Sequence, residues 1–531
     1  MAMKKRKIYL TLLVWSLFAL PMQAKMSSAQ QLMTIDTAVV PGVEYLLYNV
    51  GSGLYLTKTG AMVANAADAD AWRFLSTETT TFIHSDQIFV YMKNMGVTGW
   101  YICFSNKAQT QEIYPSTTTP GAIKISCPFA FDRRYLNVQQ SDHTLSCAST
   151  QGEWNDWLLV RSPQQNTHLY RLLTIKTDNS KVQYTIGYQS IDLAGNPIEL
   201  SGYIVVPSTS AGTCTADHVL FSSHYTMTKN SEVPSQSNPF DALTFTMSGN
   251  KPVMIEPDYL GYGLTADKVH PYLAPDIMAR NCVDMLIACH QLLRQMNDFD
   301  VSQGNIPTYG IGYSQGGSII LAVQKFIEND PYVSDSLRNV INYVRTCSGA
   351  GPYNPLATIS QYVYQDDLSM PCAAPLLVSG VVDAYPEIFG TTTAEDYFSD
   401  AFNRADILGK VRSRNYTIDE LNAAIKNACG ENKMSLILSE DALNFNSDLI
   451  QKLLKAFGQC DLTRDWTPQA EIWFFHNTAD DVVPYLNTMS AYNSFIEAGC
   501  TNVSLYTTGI GMSHTAAAVD FMARMILGNY K

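Results

Sequence analysis

The sequence predicts an α/β domain with a mostly parallel sheet and a helical cap insertion, preceded by a small all-β domain. Three observations predict it. Residues from about 30 to 165 carry short β-type runs between turns and no clear amphipathic helix. From 166 to 531, strand-like and helix-like segments alternate. Between Gly351 and Gln469 that alternation stops, and the chain becomes helical and apolar in patches. Alternating strands and helices imply parallel pairing, because a parallel crossover needs a helix-length connection. A chain of 531 residues also exceeds what one hydrophobic core can serve.

The first element is a targeting segment. Lys4-Lys5-Arg6-Lys7 is a basic start, Ile8 to Leu20 is apolar but for Thr11 and Ser16, and small residues follow at Ala24, Ser27 and Ala29. The apolar run is short for a membrane span and suits a cleaved signal peptide over residues 1–24, hence a secreted or periplasmic protein. The mature chain should have no transmembrane helix. Cleavage removes four basic residues and moves the formal charge from -13 to -17. So acidic a chain is a poor partner for nucleic acid or anionic membrane surfaces. The 11 cysteines are odd in number and form no C-x-x-C pair, which argues against zinc and thiol redox chemistry. Cys282 and Cys289 lie seven apart, as on one buried helix face.

In the all-β region, Val43–Tyr48, Gln87–Tyr91 and Ala122–Ile125 read as strands. A weak repeat runs through it. Leu54-Tyr55-Leu56, Trp100-Tyr101-Ile102 and Arg134-Tyr135-Leu136 begin similar units, and Trp72-Arg73-Phe74 and Trp157-Leu158-Leu159 close two of them. Three β units over about 130 residues resemble a ricin-type β-trefoil, a fold that implies a glycan as a possible partner. The Q-x-W triplet of that family is absent, so a small packing domain is the alternative. Asp68-Ala69-Asp70 lacks the glycine and distal glutamate of an EF-hand calcium loop and reads as a solvated turn.

The α/β region should open on a meander of Tyr170–Lys176, Gln183–Ile191 and Glu199–Pro207. His218–Ser222 and Pro252–Glu256 are compact apolar strands, and Asp276–Met296 is a long helix. Ile341–Cys347, Glu471–Phe475 and Asn502–Thr507 are the later strands, and His514–Leu527 the closing helix. The insertion, about 351–469, includes Leu421–Ile425 and Leu449–Leu454 as helical stretches. Its Tyr362, Tyr364 and Met370 are either core or the lining of an acyl pocket.

Chemistry centres on Gly312-Tyr313-Ser314-Gln315-Gly316, a G-x-S-x-G run between the strand Pro307–Ile311 and the helix Ser318–Phe326. A serine on a sharp strand-to-helix turn exposes its hydroxyl, and the helix N-terminus turns partial positive charge toward it. A serine nucleophile needs a base, and the base needs a carboxylate to order it. Asp480 follows the strand Glu471–Phe475 in Asn477-Thr478-Ala479-Asp480-Asp481-Val482-Val483-Pro484, with Asp481 as its rival. His514 follows the last strand in Gly511-Met512-Ser513-His514. Candidate oxyanion donors are the backbone amide of Gln315 and that of Tyr225 or Thr226, after the strand ending Ser222-Ser223-His224. His224 reads as a loop-fixing residue. No Walker or Rossmann glycine run appears, and the reading needs neither metal nor organic cofactor.

The order Ser314, Asp480, His514 resembles the α/β-hydrolase superfamily, and the motifs are similar to those of its secretory lipase and carboxylesterase branch. Those motifs are Pro257-Asp258-Tyr259-Leu260-Gly261-Tyr262-Gly263, His270-Pro271-Tyr272 and Gly349-Ala350-Gly351-Pro352-Tyr353. The resemblance implies a serine hydrolase acting on small-molecule or lipid esters, with a helical cap, and with Asp258 and its tyrosines shaping the site. It departs from the family where H-G-x becomes His224-Tyr225-Thr226. Three other readings stand beside it: a serine peptidase of the same fold, a glycan-targeted acetyl or feruloyl esterase, and a glycan-binding protein without activity.

Overall fold

The computed structural model describes residues 35–531, except 40–42, 77–80, 86–87, 95–99, 106–110, 128–133, 150, 164–168, 178–179, 208–215, 238–250, 296–305, 364–366 and 508–509. The expected signal peptide and Tyr364 therefore lie outside the described residues. The chain forms two compact units, residues 1–178 and 179–531.

The first unit is built from antiparallel strands. Glu44–Asn49 pairs with Trp157–Arg161, so the start and end of the unit lie side by side, and Ile123–Cys127 pairs with Arg134–Val138. Trp72 and Trp157 are fully buried in one core with Tyr45, Leu47, Leu136 and Leu159. Their indoles repeat one contact: Trp72 Nε1 donates to the Leu56 carbonyl (3.3 Å) and Trp157 Nε1 to the Leu136 carbonyl (3.0 Å). Leu56 and Leu136 hold matching places in the sequence repeat, so the two units that can be compared here bury their tryptophans in the same way. Lys124 is buried too, with its Nζ 2.5 Å from Asp156 and 2.6 Å from Asn155. A buried ammonium is tolerable only when paired like this.

The second unit carries the parallel sheet. Its strands are β1 (Lys181–Ile191), β2 (Pro197–Pro207), β3 (His218–Ser223), β4 (Pro252–Pro257), β5 (Thr308–Tyr313), β6 (Tyr343–Gly349), β7 (Glu471–Phe475) and β8 (Val503–Tyr506). They lie in the order β1-β2-β4-β3-β5-β6-β7-β8. β1, β2 and β4 pair antiparallel, and from β4 onward every pair is parallel. The direction of winding reverses around β3 and β5. In open α/β sheets ligands bind beyond the carboxyl ends of strands at such a reversal.

Helix α1 (Pro275–Gln295) starts with proline and Asp276, both suited to a helix N-terminus. It buries Met278, Cys282, Met285, Leu286 and Cys289. Cys282, Cys289, Cys347, Cys372, Cys429, Cys460 and Cys500 are free thiols. Helix α2 (Gln315–Asn329) follows β5 directly and is almost entirely buried over its first ten residues.

Between β6 and β7 the chain is helical. Its longest members are α3 (Ala373–Ala384), α4 (Ile418–Cys429) and α5 (Asp448–Gln459). Thr417 and Glu420 close a capping box on α4, and the Ser447 hydroxyl caps α5. Ile450, Leu453, Ala456 and Phe457 recur at helical spacing and sink α5 into a core with Tyr397, Phe402, Leu421 and Ile425, which Tyr272 and Leu273 join from outside the insertion. One helix follows each of the last two strands, α6 (Tyr485–Glu497) after β7 and α7 (His514–Ile526) after β8. Among the described residues no helix is long and apolar enough to cross a membrane.

Candidate active site

Ser314 sits between β5 and α2 with φ 59° and ψ -124°. A residue with a Cβ holds such a conformation at a cost of about 1–3 kcal/mol, so its surroundings must enforce it. The Ser314 amide donates to the Gly349 carbonyl (2.8 Å), and the Ser314 carbonyl accepts from the Gly317 amide (2.9 Å). The glycines on either side are there for space. A Cβ on Gly312 would overlap the Gly316 carbonyl, and one on Gly316 would overlap the Ser223 carbonyl and lie 2.7 Å from that of His224. The turn and the loop after β3 are thus in backbone contact. The Gln315 amide is the first of α2, where N–H groups have no acceptor within the helix.

That neighbouring loop is pinned from below. Tyr259 Oη donates to the His224 carbonyl (3.1 Å), and Tyr262 Oη to the Met227 carbonyl (2.5 Å). His224 is buried, with Nδ1 2.6 Å from the Tyr225 carbonyl, and burial pulls its pKa down to about 4. It is neutral at ordinary pH and fixes the loop. Tyr225 is 43% exposed, whereas Thr226 is buried with its hydroxyl 2.7 Å from Tyr272 Oη.

His514 opens α7. Its Nδ1 lies 2.7 Å from Asp480 Oδ2. The rival carboxylate has a different part: Asp481 Oδ1 accepts the His514 amide (2.8 Å) and Oδ2 accepts Ser369 Oγ (2.7 Å). Asp480 Oδ1 accepts the amides of Val482 (2.9 Å) and Val483 (2.8 Å). Burial pushes the Asp480 carboxyl up, but hydrogen bonds from His476 and His514 together outweigh it and hold it well below the usual carboxylate range. The carboxylate is therefore charged at ordinary pH. Tyr313, the residue before Ser314, donates through Oη to the His514 carbonyl (2.8 Å), and the two rings are 5.0 Å apart. Asn477 stitches the two loops, accepting the amides of Ala479 and Met512 (3.0 Å each) and donating to the Ile510 carbonyl (2.6 Å).

The Pro257–Gly263 run is scaffolding. Asp258 is fully buried and accepts Ser201 Oγ (2.6 Å) and the Ser235 amide (2.9 Å). Gly261 packs on the backbone of His270, and it has φ 89°. His270 Nδ1 faces the Leu260 carbonyl (2.8 Å), so it carries the proton. Nε2 then accepts from the Gln315 side-chain amide (2.8 Å). Burial and the Arg414 guanidinium depress the His270 pKa strongly, which keeps this pairing neutral.

An apolar cavity of about 110 Å³ runs from Ser314 into the helical insertion. Tyr272, Pro352, Tyr362, Met370, Tyr397 and Ala442 are among its walls. Tyr362 and Met370 thus line it, and the Tyr362 hydroxyl donates to the Val482 carbonyl. Among the described residues no group of three or more His, Cys, Asp or Glu side chains could hold a metal ion. Sequence reasoning missed His476, Asn477, the His270–Gln315 bond and the Asp481 cap. The one signal was for His476, which stands four residues before Asp480 in the spacing His-x-x-x-Asp-x-x-Val-Pro.

No family model matches the chain, and no curated protein matches it. Solved structures do. A Legionella pneumophila protein provisionally assigned as a hydrolase aligns with TM-score 0.54 at 20% identity, covering 69% of this chain and 92% of its own. The rice cell wall degrading esterase LipA from Xanthomonas oryzae aligns with TM-score 0.54 at 19% identity, covering 68% of this chain and 95% of its own. At such identities the likeness is one of fold, an α/β-hydrolase-like fold, in keeping with the strand order above.

Proposed function

We propose that this chain is a secreted serine carboxylester hydrolase that works through an acyl-enzyme, with residues 351–469 capping its acyl site. One observation carries the reading: Ser314, held at positive φ at the head of α2, opens onto an apolar cavity, while the Asp480-ordered imidazole of His514 lies against the adjacent Tyr313. Ser314 Oγ attacks the acyl carbon, and His514 Nε2 takes its proton. Asp480 keeps the other proton on Nδ1, so Nε2 is the basic nitrogen, and it offsets the imidazolium charge that develops. The Gln315 amide and that of Tyr225 or Thr226 take the oxyanion. His514 then hands its proton to the departing alcohol as the ester C–O bond breaks. Water, deprotonated by the same imidazole, frees the acid. No step needs a cofactor.

The cavity also bears on substrate. A single water needs roughly 10–15 Å³ on this measure, so about 110 Å³ takes the volume of several waters. An apolar acyl chain of several carbons fills that space, at about 0.8 kcal/mol per buried methylene. This favours a larger apolar acyl group over acetyl. Export rests on Lys4–Lys7 and the apolar run to Leu20. The trefoil-like reading of residues 30–165 rests on the repeated indole contacts. A glycan array probed with full-length Ser314→Ala tests its partner, and a blank array assigns it a packing role.

Hydrolysis of p-nitrophenyl esters from acetate to palmitate, with Ser314→Ala alongside, tests the chemistry. The expected result is turnover that falls by about 10³-fold or more in the variant. Undiminished turnover in Ser314→Ala would refute the mechanism. Turnover only on aminoacyl-nitroanilides would transfer the site to a peptidase.

A further inference from the structure

Asp480 is held by two imidazoles. The second belongs to His476, the residue after β7, whose side chain is fully buried. Its Nε2 lies 3.2 Å from Asp480 Oδ2 and 3.0 Å from the Val483 carbonyl. Both neighbours are acceptors, so Nε2 must carry a hydrogen. Its Nδ1 is 2.6 Å from Thr488 Oγ1 on α6, and its backbone amide is tied to the Tyr506 carbonyl at 3.1 Å. The Tyr485 ring stands edge-on, 5.5 Å away. The imidazole cannot turn without breaking several of these contacts at once.

We propose that His476 is a positioning residue for the esterase chemistry, sharing Asp480 Oδ2 with His514 and setting how strongly that oxygen attracts the base. The proposal rests on the reading of Ser314, Asp480 and His514 given above. A carboxylate oxygen that accepts a second hydrogen bond carries less charge for the first donor. With His476 in place, Oδ2 offers less charge to the His514 imidazolium. Without it, Oδ2 draws the imidazolium more strongly, the base pKa rises, and activity is lost at higher pH. The unsupported carboxylate can also rotate about its two remaining amides, which misaligns His514.

Other titratable groups border this cluster. Asp481 faces the His514 amide, the Tyr313 and Tyr485 rings lie against the two imidazoles, and Asp520 with Tyr506 lines a small cavity beside His476. All are unchanged in the variants below, so a shift between variants reports His476 itself.

The test is the pH dependence of kcat/KM on one p-nitrophenyl ester for the full chain, its His476→Ala and His476→Gln variants, and Thr488→Val. The glutamine amide can replace the Nε2 donor; the valine removes only the partner of Nδ1. In His476→Ala, kcat should fall about tenfold or more with KM little changed, as for lost supports of a reacting group. Its acid limb should move up by about one pH unit, the size of one lost hydrogen bond to a charged group. His476→Gln should recover most of both, and Thr488→Val should shift the limb the same way but less. An unmoved acid limb in a folded His476→Ala or Thr488→Val protein overturns the proposal. So does a glutamine variant as impaired as the alanine one, which would make the role one of shape. If His476→Ala does not fold, the other two variants decide. Failure of the underlying reading looks different, because then the unmodified chain itself shows no Ser314-dependent turnover.

Discussion

Gly316→Ala separates two physical effects that point in opposite directions. Gly316 is the second residue of α2, and its backbone is helical rather than left-handed. By propensity alone, alanine in a helix should stabilise the protein by up to about 1 kcal/mol. The tertiary contact says otherwise. The added Cβ would stand 2.7 Å from the His224 carbonyl oxygen and closer still to that of Ser223. Ordinary contact begins near 3.4 Å, so the loop after β3 and the head of α2 must part by at least about 0.7 Å. These are the segments that carry the proposed oxyanion donors. Misplacement of about 1 Å in such a site costs on the order of 10²-fold in rate. We expect kcat for a p-nitrophenyl ester to fall by about that factor, with stability lowered by about 1–3 kcal/mol. The assay is kcat and KM at pH 7.5 beside urea unfolding. A variant as active as the parent and more stable would refute the packing argument and leave helix propensity in command.

Three further outcomes follow from the geometry. Asp480→Asn should lower kcat by about 10⁴-fold, the scale of an imidazole left in the wrong tautomer, while Asp481→Asn, which keeps an acceptor for the His514 amide, should lose less than about tenfold; equal losses would refute the assignment. His224 is buried with a folded pKa of about 4, below its unfolded value of about 6.5, so the unfolded chain takes up its proton first. Stability is thus fully present above pH 6.5 and falls by about 3 kcal/mol as pH drops toward 4; urea midpoints across this window should decline less steeply in His224→Asn, and parallel slopes would exclude the effect. Ala442→Phe places a ring in the cavity, so kcat/KM for decanoate relative to acetate should drop by about tenfold or more, whereas an unchanged ratio would remove the cavity from acyl binding.

Local signals in the chain determined much of the architecture. Short β runs, the strand–helix alternation, the break at Gly351 and capping boxes such as Thr417–Glu420 are decided within a few residues of themselves, so they can be read without a fold. The same holds for the turn at Ser314, because glycines two residues to either side leave room that only a sharp turn needs. Helix α6 went unread, since it begins behind Pro484 with no polar cap and a weak apolar stripe. What only the tertiary structure decided is pairwise. Asp480 and Asp481 are chemically alike and adjacent, and they part company only when α7 arrives with its imidazole facing one and its first amide facing the other. His270 and Gln315 are 45 residues apart and meet through a single hydrogen bond. His476 follows β7 directly, and its spacing from Asp480 does not by itself announce that its free edge is turned to that carboxylate. Hydrogen bonds reach about 3 Å and depend on direction. Their partners are set by how strands and helices pack, which no local pattern of residue types records.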